Sequence, residues 1–149
     1  MQDNPKVDRF RPIKLLAMIV FVPDVAWASF WFVMDILARL GLWPRSWDFV
    51  EIYPFITTHP LWAESVFFAA YAAKVLALVQ MVRCRLSALP LLALAFVLHI
   101  TDWLLLSGNA YYSASIDGAL MVLAEASALT CLWYLHAHGV LRGGWFSLK

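Results

Sequence analysis

Ionisable residues stand inside four long apolar runs of this chain, and they define the chemistry open to it. Asp24 and Asp35 lie in the first run, Glu64 and Lys74 in the second, His99 and Asp102 in the third, Asp117 and Glu125 in the fourth. An ionised group in hydrocarbon costs at least a few kcal/mol, so such residues face a partner or a cavity. On a ruler of about 1.5 Å per helical residue, Asp24 and Lys74 share one level, in the inner half. His99 and Glu125 lie near the middle, with Asp102 just above, and Asp35, Glu64 and Asp117 lie further out.

Helical spacing adds direction. Asp24 and Asp35 share a face, Asp35 and Arg39 are at i, i+4, and His99 and Asp102 are at i, i+3. Three pairings follow: Asp24–Lys74 as a structural ion pair, Asp35–Arg39 at the rim, and His99–Glu125 in the middle. Glu64, Asp102 and Asp117 are left without an obvious cation. Such acids must be protonated, hydrated or opposite a cationic ligand. The plainer readings are a helix-dipole role for Asp117 and Glu64 in first turns, an interfacial salt bridge for Asp35–Arg39, and an interhelical hydrogen-bond network for the rest.

Aromatic residues flank these acids. Trp27 and Trp31 are one turn apart, and Trp103 follows Asp102. Beside a carboxylate, such rings favour a cationic amine; on a helix exterior they are ordinary lipid-facing or interfacial residues. Asp35, Glu64, His99, Asp102 and Glu125, with Trp27, Trp31 and Trp103, are therefore the expected lining of a ligand pocket.

Other chemistries lack their residues. Only His99 is deep, so a bis-imidazole haem site has no second ligand. No His-Glu-x-x-His or Glu-x-x-His pair occurs, and His99-Ile100-Thr101-Asp102 is a weak start for a metal site. No phosphate-cradling loop or nucleophile elbow is found. No metal and no cofactor are expected, and no block of like charge suggests nucleic acid. Cys84 and Cys131 lie far apart and read as small buried or interfacial residues.

The elements that must position these groups are membrane-spanning helices. Of 149 residues, 63% are hydrophobic and 14% charged, against about 25% charged in soluble domains; the mean hydropathy is +0.74. The length suits one domain, 1–149, an all-α four-helix transmembrane bundle. The spans are expected at about 15–40, 61–82, 88–107 and 115–136. Pro23 should kink the first. A short interfacial helix is expected near Ser46–Ile52, within the aromatic loop Gly41–Pro60. Gly118, Ala119, Ala124, Ala126 and Ala128 would let another helix approach the fourth span. The apolar run from Leu15 lacks a small-x-small cleavage site and reads as a retained span. Lys6, Arg9, Arg11, Lys14, Arg83, Arg85, Arg142 and Lys149 fall on one side of this plan, which places both termini in the cytoplasm.

Phe32-Val33-Met34-Asp35 followed by Leu42-Trp43-Pro44, then Pro60-Leu61-Trp62-Ala63-Glu64-Ser65, then His99-Ile100-Thr101, resemble the emopamil-binding (EXPERA) family of four-span sterol isomerases and intramembrane ligand receptors. The resemblance implies that Asp35 helps bind a cationic ligand or sterol. The receptor branch also has a glutamate in span two, whose place by the Pro-x-Trp register is Ala70; Glu64 lies almost two turns earlier. The acid–base pair of the isomerase branch has no residue-by-residue match here.

Three functions follow as expectations. The first is binding of a hydrophobic, cationic or sterol-like small molecule in an acid-lined cavity. With an alkene substrate, Glu125 or Asp102 would donate a proton and His99 would take one back; spacing alone does not establish that catalysis. The second is proton-coupled transport, which would need a homodimer to enclose a path. The third is an accessory subunit of a larger membrane assembly, its acids paired with a neighbour's bases.

Overall fold

The computed structural model describes residues 9–43, 52–111 and 116–143, with the backbone alone at 52, 116 and 117. Among them the regular structure is helical: α1 (Arg11–Arg39), α2 (Ile52–Thr58), α3 (Leu61–Val82), α4 (Ala88–Leu106) and α5 (Ile116–Ala137). In α1, α3, α4 and α5 the apolar stretch is long enough to cross a membrane. The chain is thus a multi-pass membrane protein built as a transmembrane helical bundle.

The helix bounds depart little from those expected. α1 begins at Arg11 rather than Leu15, because Pro12 fits a first helical turn, and it runs through Pro23 without a break. The short helix lies at Ile52–Thr58; positions 46–51 of the expected one lie outside the described residues.

Burial is distributed as a bilayer demands. The interior is rich in small residues, among them Ala17, Ala28, Ala70, Ala73, Ala77, Ala88, Ala95 and Ala128. Large apolar side chains point outward, with Ile19 66%, Val97 60%, Leu104 67% and Leu123 62% exposed. Lipid solvates such side chains as well as a core would, so helix association relies on close backbone approach.

The four long helices form a ring. α1 packs against α3 and α5, and α4 packs against the same two, so α1 faces α4 and α3 faces α5 across the bundle. At one end Phe10 meets Tyr134 and His138, with ring centroids 6.0 and 5.1 Å apart. There Lys14 Nζ donates to the Val82 carbonyl at 2.8 Å. The α3–α4 turn pairs with the segment after α5 through Arg142 N to Cys84 O (2.8 Å) and Leu86 N to Arg142 O (2.9 Å). Arg9, Arg11, Lys14, Arg83, Arg85 and Arg142 therefore gather at one end. At the other end Asn109 Nδ2 donates to the Phe55 carbonyl (3.2 Å) and to Thr58 Oγ1 (3.3 Å), tying the turn after α4 to α2.

Three long helices end alike. After α1, Leu42 N bonds Leu37 O and Gly41 N bonds Ala38 O; after α5, Val140 N bonds Leu135 O and Gly139 N bonds His136 O. Both glycines have positive φ, 71° and 67°. After α3, Arg85 N bonds Gln80 O and Cys84 N bonds Met81 O in the same pattern. The left-handed position there belongs to Cys84, with φ 53°, where a Cβ is unfavourable.

Candidate functional site

The buried ionisable residues fall into two clusters rather than one pocket. The central cluster takes one residue from each long helix: Asp24 from α1, Lys74 from α3, His99 from α4 and Glu125 from α5. Lys74 Nζ lies 2.9 Å from Asp24 Oδ1, 2.5 Å from Glu125 Oε1 and 3.4 Å from His99 Nδ1. His99 Nδ1 lies 2.9 Å from Glu125 Oε1. The contact between Lys74 and Glu125 crosses the bundle from α3 to α5, so the cluster sits on its axis.

The sequence plan treats Asp24–Lys74 and His99–Glu125 as separate levels; the structure merges them. The long lysine stem bridges about one helical turn, carrying its ammonium into the space between both carboxylates. Burial is nearly complete: Glu125 is 0% exposed, Asp24 1% and Lys74 3%. The His99 side chain keeps 20% exposure and forms the cluster's accessible edge. One oxygen of each carboxylate, Asp24 Oδ2 and Glu125 Oε2, is buried without a hydrogen-bond partner. Asp102, one turn beyond His99, is 6% exposed and makes no hydrogen bond or ion pair among the described residues, though it feels the charges of His99 and Lys74.

Asp24, His99 and Glu125 each offer one ligand atom, and these atoms lie within 4.8 Å of one another, a spacing that could hold a metal ion. The grouping differs from the His99-to-Asp102 start that the sequence suggests. Lys74 Nζ reaches all three residues, so an internal ammonium already supplies positive charge to this set.

The second cluster lies toward the α2 end. Arg39 Nε is 3.4 Å from both oxygens of Asp35, while Nη2 pairs with Glu64 Oε1 and donates to the Ile56 carbonyl at 3.2 Å. One guanidinium thus joins α1, α2 and α3. Glu64, expected to lack a cation, has one. Its partner, Arg39 on α1, is fixed only when the helices are brought together. Two buried carboxylates share this single cation. His59 interacts electrostatically with Arg39 and Asp35; burial, reinforced by Arg39, pushes its imidazole below the ordinary value, keeping it neutral.

His59 also lines a cleft of about 310 Å³, with Thr58, Pro60, Trp62, Ala63 and Leu105 among its walls and Asn109 and Tyr111 at the α4 turn. His59 Nε2 is buried without a hydrogen-bond partner. Neither His59 nor this cleft stands out in the sequence, where the histidine is one of three near helix ends.

The expected tryptophan lining is rearranged. Trp27 is 40% exposed and turned to the bundle exterior. It meets Trp31 edge-on with centroids 6.0 Å apart, and Trp31 packs with Met34, Ala38 and Ile56 beneath α2. Trp103 packs against α5, where a Cβ added to Gly118 would lie 3.3 Å from its Nε1. These rings have apolar partners of their own because adjacent helical positions point about 100° apart. Tyr71, on the same helix as Lys74, stacks on Phe32 at 4.6 Å, and its hydroxyl lies 3.2 Å from that of Ser29. The side chain of Asp117 lies outside the described residues.

Comparison of the chain with protein-family models, with curated proteins and with solved structures finds no match.

Proposed function

We propose that this membrane protein binds a hydrophobic molecule with a cationic head at its α2 end. The observation that carries this reading is His59, which belongs at once to the cleft wall and to the surroundings of Asp35 and Arg39. Ionised together, Asp35 and Glu64 carry one negative charge more than Arg39 offsets, and the neutral imidazole adds no second cation. A ligand ammonium would balance that charge. Trp62, Leu105 and Tyr111 would hold its apolar body, as aromatic and aliphatic walls do in small-molecule sites. The cleft sits at the lower end of the usual range of about 300–1,000 Å³ for such sites, which favours a single-headed amphiphile or a compact sterol-like amine. The resemblance to the emopamil-binding family supports the same reading through Asp35. The central cluster is a poorer binding site, since Lys74 already occupies its middle.

The test is equilibrium binding of dodecyldimethylamine to the full chain in lipid nanodiscs, with dodecanol as the neutral probe and empty discs as the partition control. The amine should bind the protein at least about tenfold more tightly than the alcohol, and Asp35→Asn or Glu64→Gln should remove that preference. Equal affinity for amine and alcohol, or an amine preference unchanged in both variants, defeats the proposal. A second copy of the chain or an accessory role in a larger assembly has no comparable observation behind it.

A further inference from the structure

We propose that Arg85 and Arg142 form a clamp for the phosphodiester of an anionic phospholipid, at the end of the bundle opposite the α2 cleft. The clamp shares no residue with that cleft and is independent of amine binding there.

Backbone pairing makes the site. α3 and α4 are both long and apolar enough to cross a membrane, so the turn between them, residues 83–87, emerges at a membrane surface. The segment after α5 returns to this turn. Arg142 N donates to the Cys84 carbonyl at 2.8 Å, and Leu86 N donates to the Arg142 carbonyl at 2.9 Å. These bonds flank Arg85 and pair it with Arg142 in parallel register. Residues paired in this way project their side chains from one face, with the two backbones about 4.8 Å apart.

The pairing is fixed from both sides. Val140 is buried in one apolar cluster with Met81, Ala88, Leu89 and Leu135. Arg85 N donates to the Gln80 carbonyl at 2.9 Å, around a left-handed Cys84 with φ 53°. A side chain is strained at such a φ, and strain of this kind persists only where the surroundings hold the backbone in place. Two arginines therefore leave one rigid ledge side by side.

Their charge has no counterpart. Among the described residues the guanidinium groups of Arg83, Arg85 and Arg142 have no hydrogen bond or ion pair. The neighbouring cations have uses of their own: Lys14 Nζ donates to the Val82 carbonyl, and Arg9 stands 5.8 Å from the centre of the Phe10 ring. The described carboxylates lie in the central cluster, beside it at Asp102, or at the α2 end. Like charges held opposite one another repel, and an anion between them relieves the repulsion. A guanidinium offers a phosphate two parallel N–H donors, so a phosphodiester between the pair can be held from both sides.

The surroundings select a lipid over a soluble phosphate. Arg83 and Arg142 are exposed and Arg85 is half-buried. Val82, next to Arg83 on the membrane side, is exposed, and the contact of Lys14 with Val82 brings the exposed Leu15 and Leu16 of α1 to the same level. A headgroup on the arginines would thus have its acyl chains alongside apolar side chains. Basic pockets at the ends of membrane helices bind anionic lipids on these terms.

The test is native mass spectrometry of the full chain in a neutral detergent, titrated with dioleoylphosphatidylglycerol or dioleoylphosphatidylcholine. Both lipids carry a phosphodiester, but only the first has a net negative charge. It should bind at least about tenfold more tightly, as two basic residues at a membrane surface imply. Arg85→Gln/Arg142→Gln should bring the two lipids to equal affinity. Arg9→Gln/Arg11→Gln, which removes the same charge from the same end, should leave most of the preference. If the first double variant does not fold, Arg142→Gln alone should weaken phosphatidylglycerol binding by about threefold or more. Equal affinity of the unaltered chain for the two lipids overturns the proposal, as does undiminished binding by every folded variant at Arg85 or Arg142. An equal loss in both double variants overturns it too, since the effect would then belong to diffuse charge. Displacement of the lipid by inorganic phosphate, but not by chloride at the same ionic strength, would assign the site to free phosphate and defeat the lipid reading.

Discussion

Lys74 Nζ lies 2.9 Å from Asp24 Oδ1 across 50 positions of sequence, with both side chains almost wholly buried. The pair ties α1 to α3 at a level where water cannot replace either partner. Lys74→Met leaves Asp24 and Glu125 facing each other without their shared cation. The expected loss of stability is about 3–5 kcal/mol, the usual consequence of stranding a buried charge. Asp24→Asn with Lys74→Met should lose less than the two single changes added together. Reversible unfolding in mixed detergent measures all three.

The guanidinium of Arg39 holds three helices through Asp35, Glu64 and the Ile56 carbonyl. Arg39→Gln should loosen α2 from the bundle and expose its amides. Hydrogen exchange across Ile52–Thr58 should rise at least about tenfold, with little change at the Arg83–Leu86 turn. Uniform acceleration throughout the chain would argue against a local role.

Cys84 occupies a left-handed helix end that Gly41 and Gly139 fill elsewhere. Removing its Cβ relieves the clash with the following carbonyl. Cys84→Gly should stabilise the protein by about 1 kcal/mol, and Gly139→Ala should destabilise it by a similar amount. Thermal unfolding of the two variants beside the wild type reads opposite signs.

His59 is held below the ordinary imidazole value of 6.5, first by burial and then by Arg39. The sign follows from proton linkage: the unfolded chain binds the proton more readily than the folded one. The stability contributed by neutral His59 is present above pH 6.5, and it falls away as pH drops through the lower folded-state value. His59→Gln should therefore be less acid-sensitive than the wild type. The difference between their unfolding midpoints at about pH 8 and about pH 5 isolates this group.

The gathering of basic residues at one end predicts that the end carrying Arg9, Arg83 and Arg142 faces the cytoplasm. In a Cys84→Ser/Cys131→Ser background, Gly108→Cys should react with a membrane-impermeant thiol reagent applied outside intact cells. A cysteine at Arg142 should react only after the membrane is opened. The reverse pattern would invert the orientation.

The spans were legible in the sequence because desolvation acts locally: a run of apolar residues long enough to cross hydrocarbon must be helical to satisfy its own backbone. Gly41 and Gly139 stand just past the ends of α1 and α5 with positive φ, where a residue without a Cβ is favoured. Pairing was legible only where partners share a helix, as Asp35 and Arg39 do at i, i+4. The meeting of Lys74 with Asp24, Glu125 and His99 at one point, and of Arg39 with Glu64, depended on helix rotation and relative height. Those are set by small residues such as Ala70, Ala73, Ala77 and Ala128 allowing close approach. The cleft at His59 likewise arises from α2 and the Asn109 turn coming together at the bundle end. Periodicity within one helix carries no information about the height of its neighbour, so the grouping of charges belongs to tertiary packing.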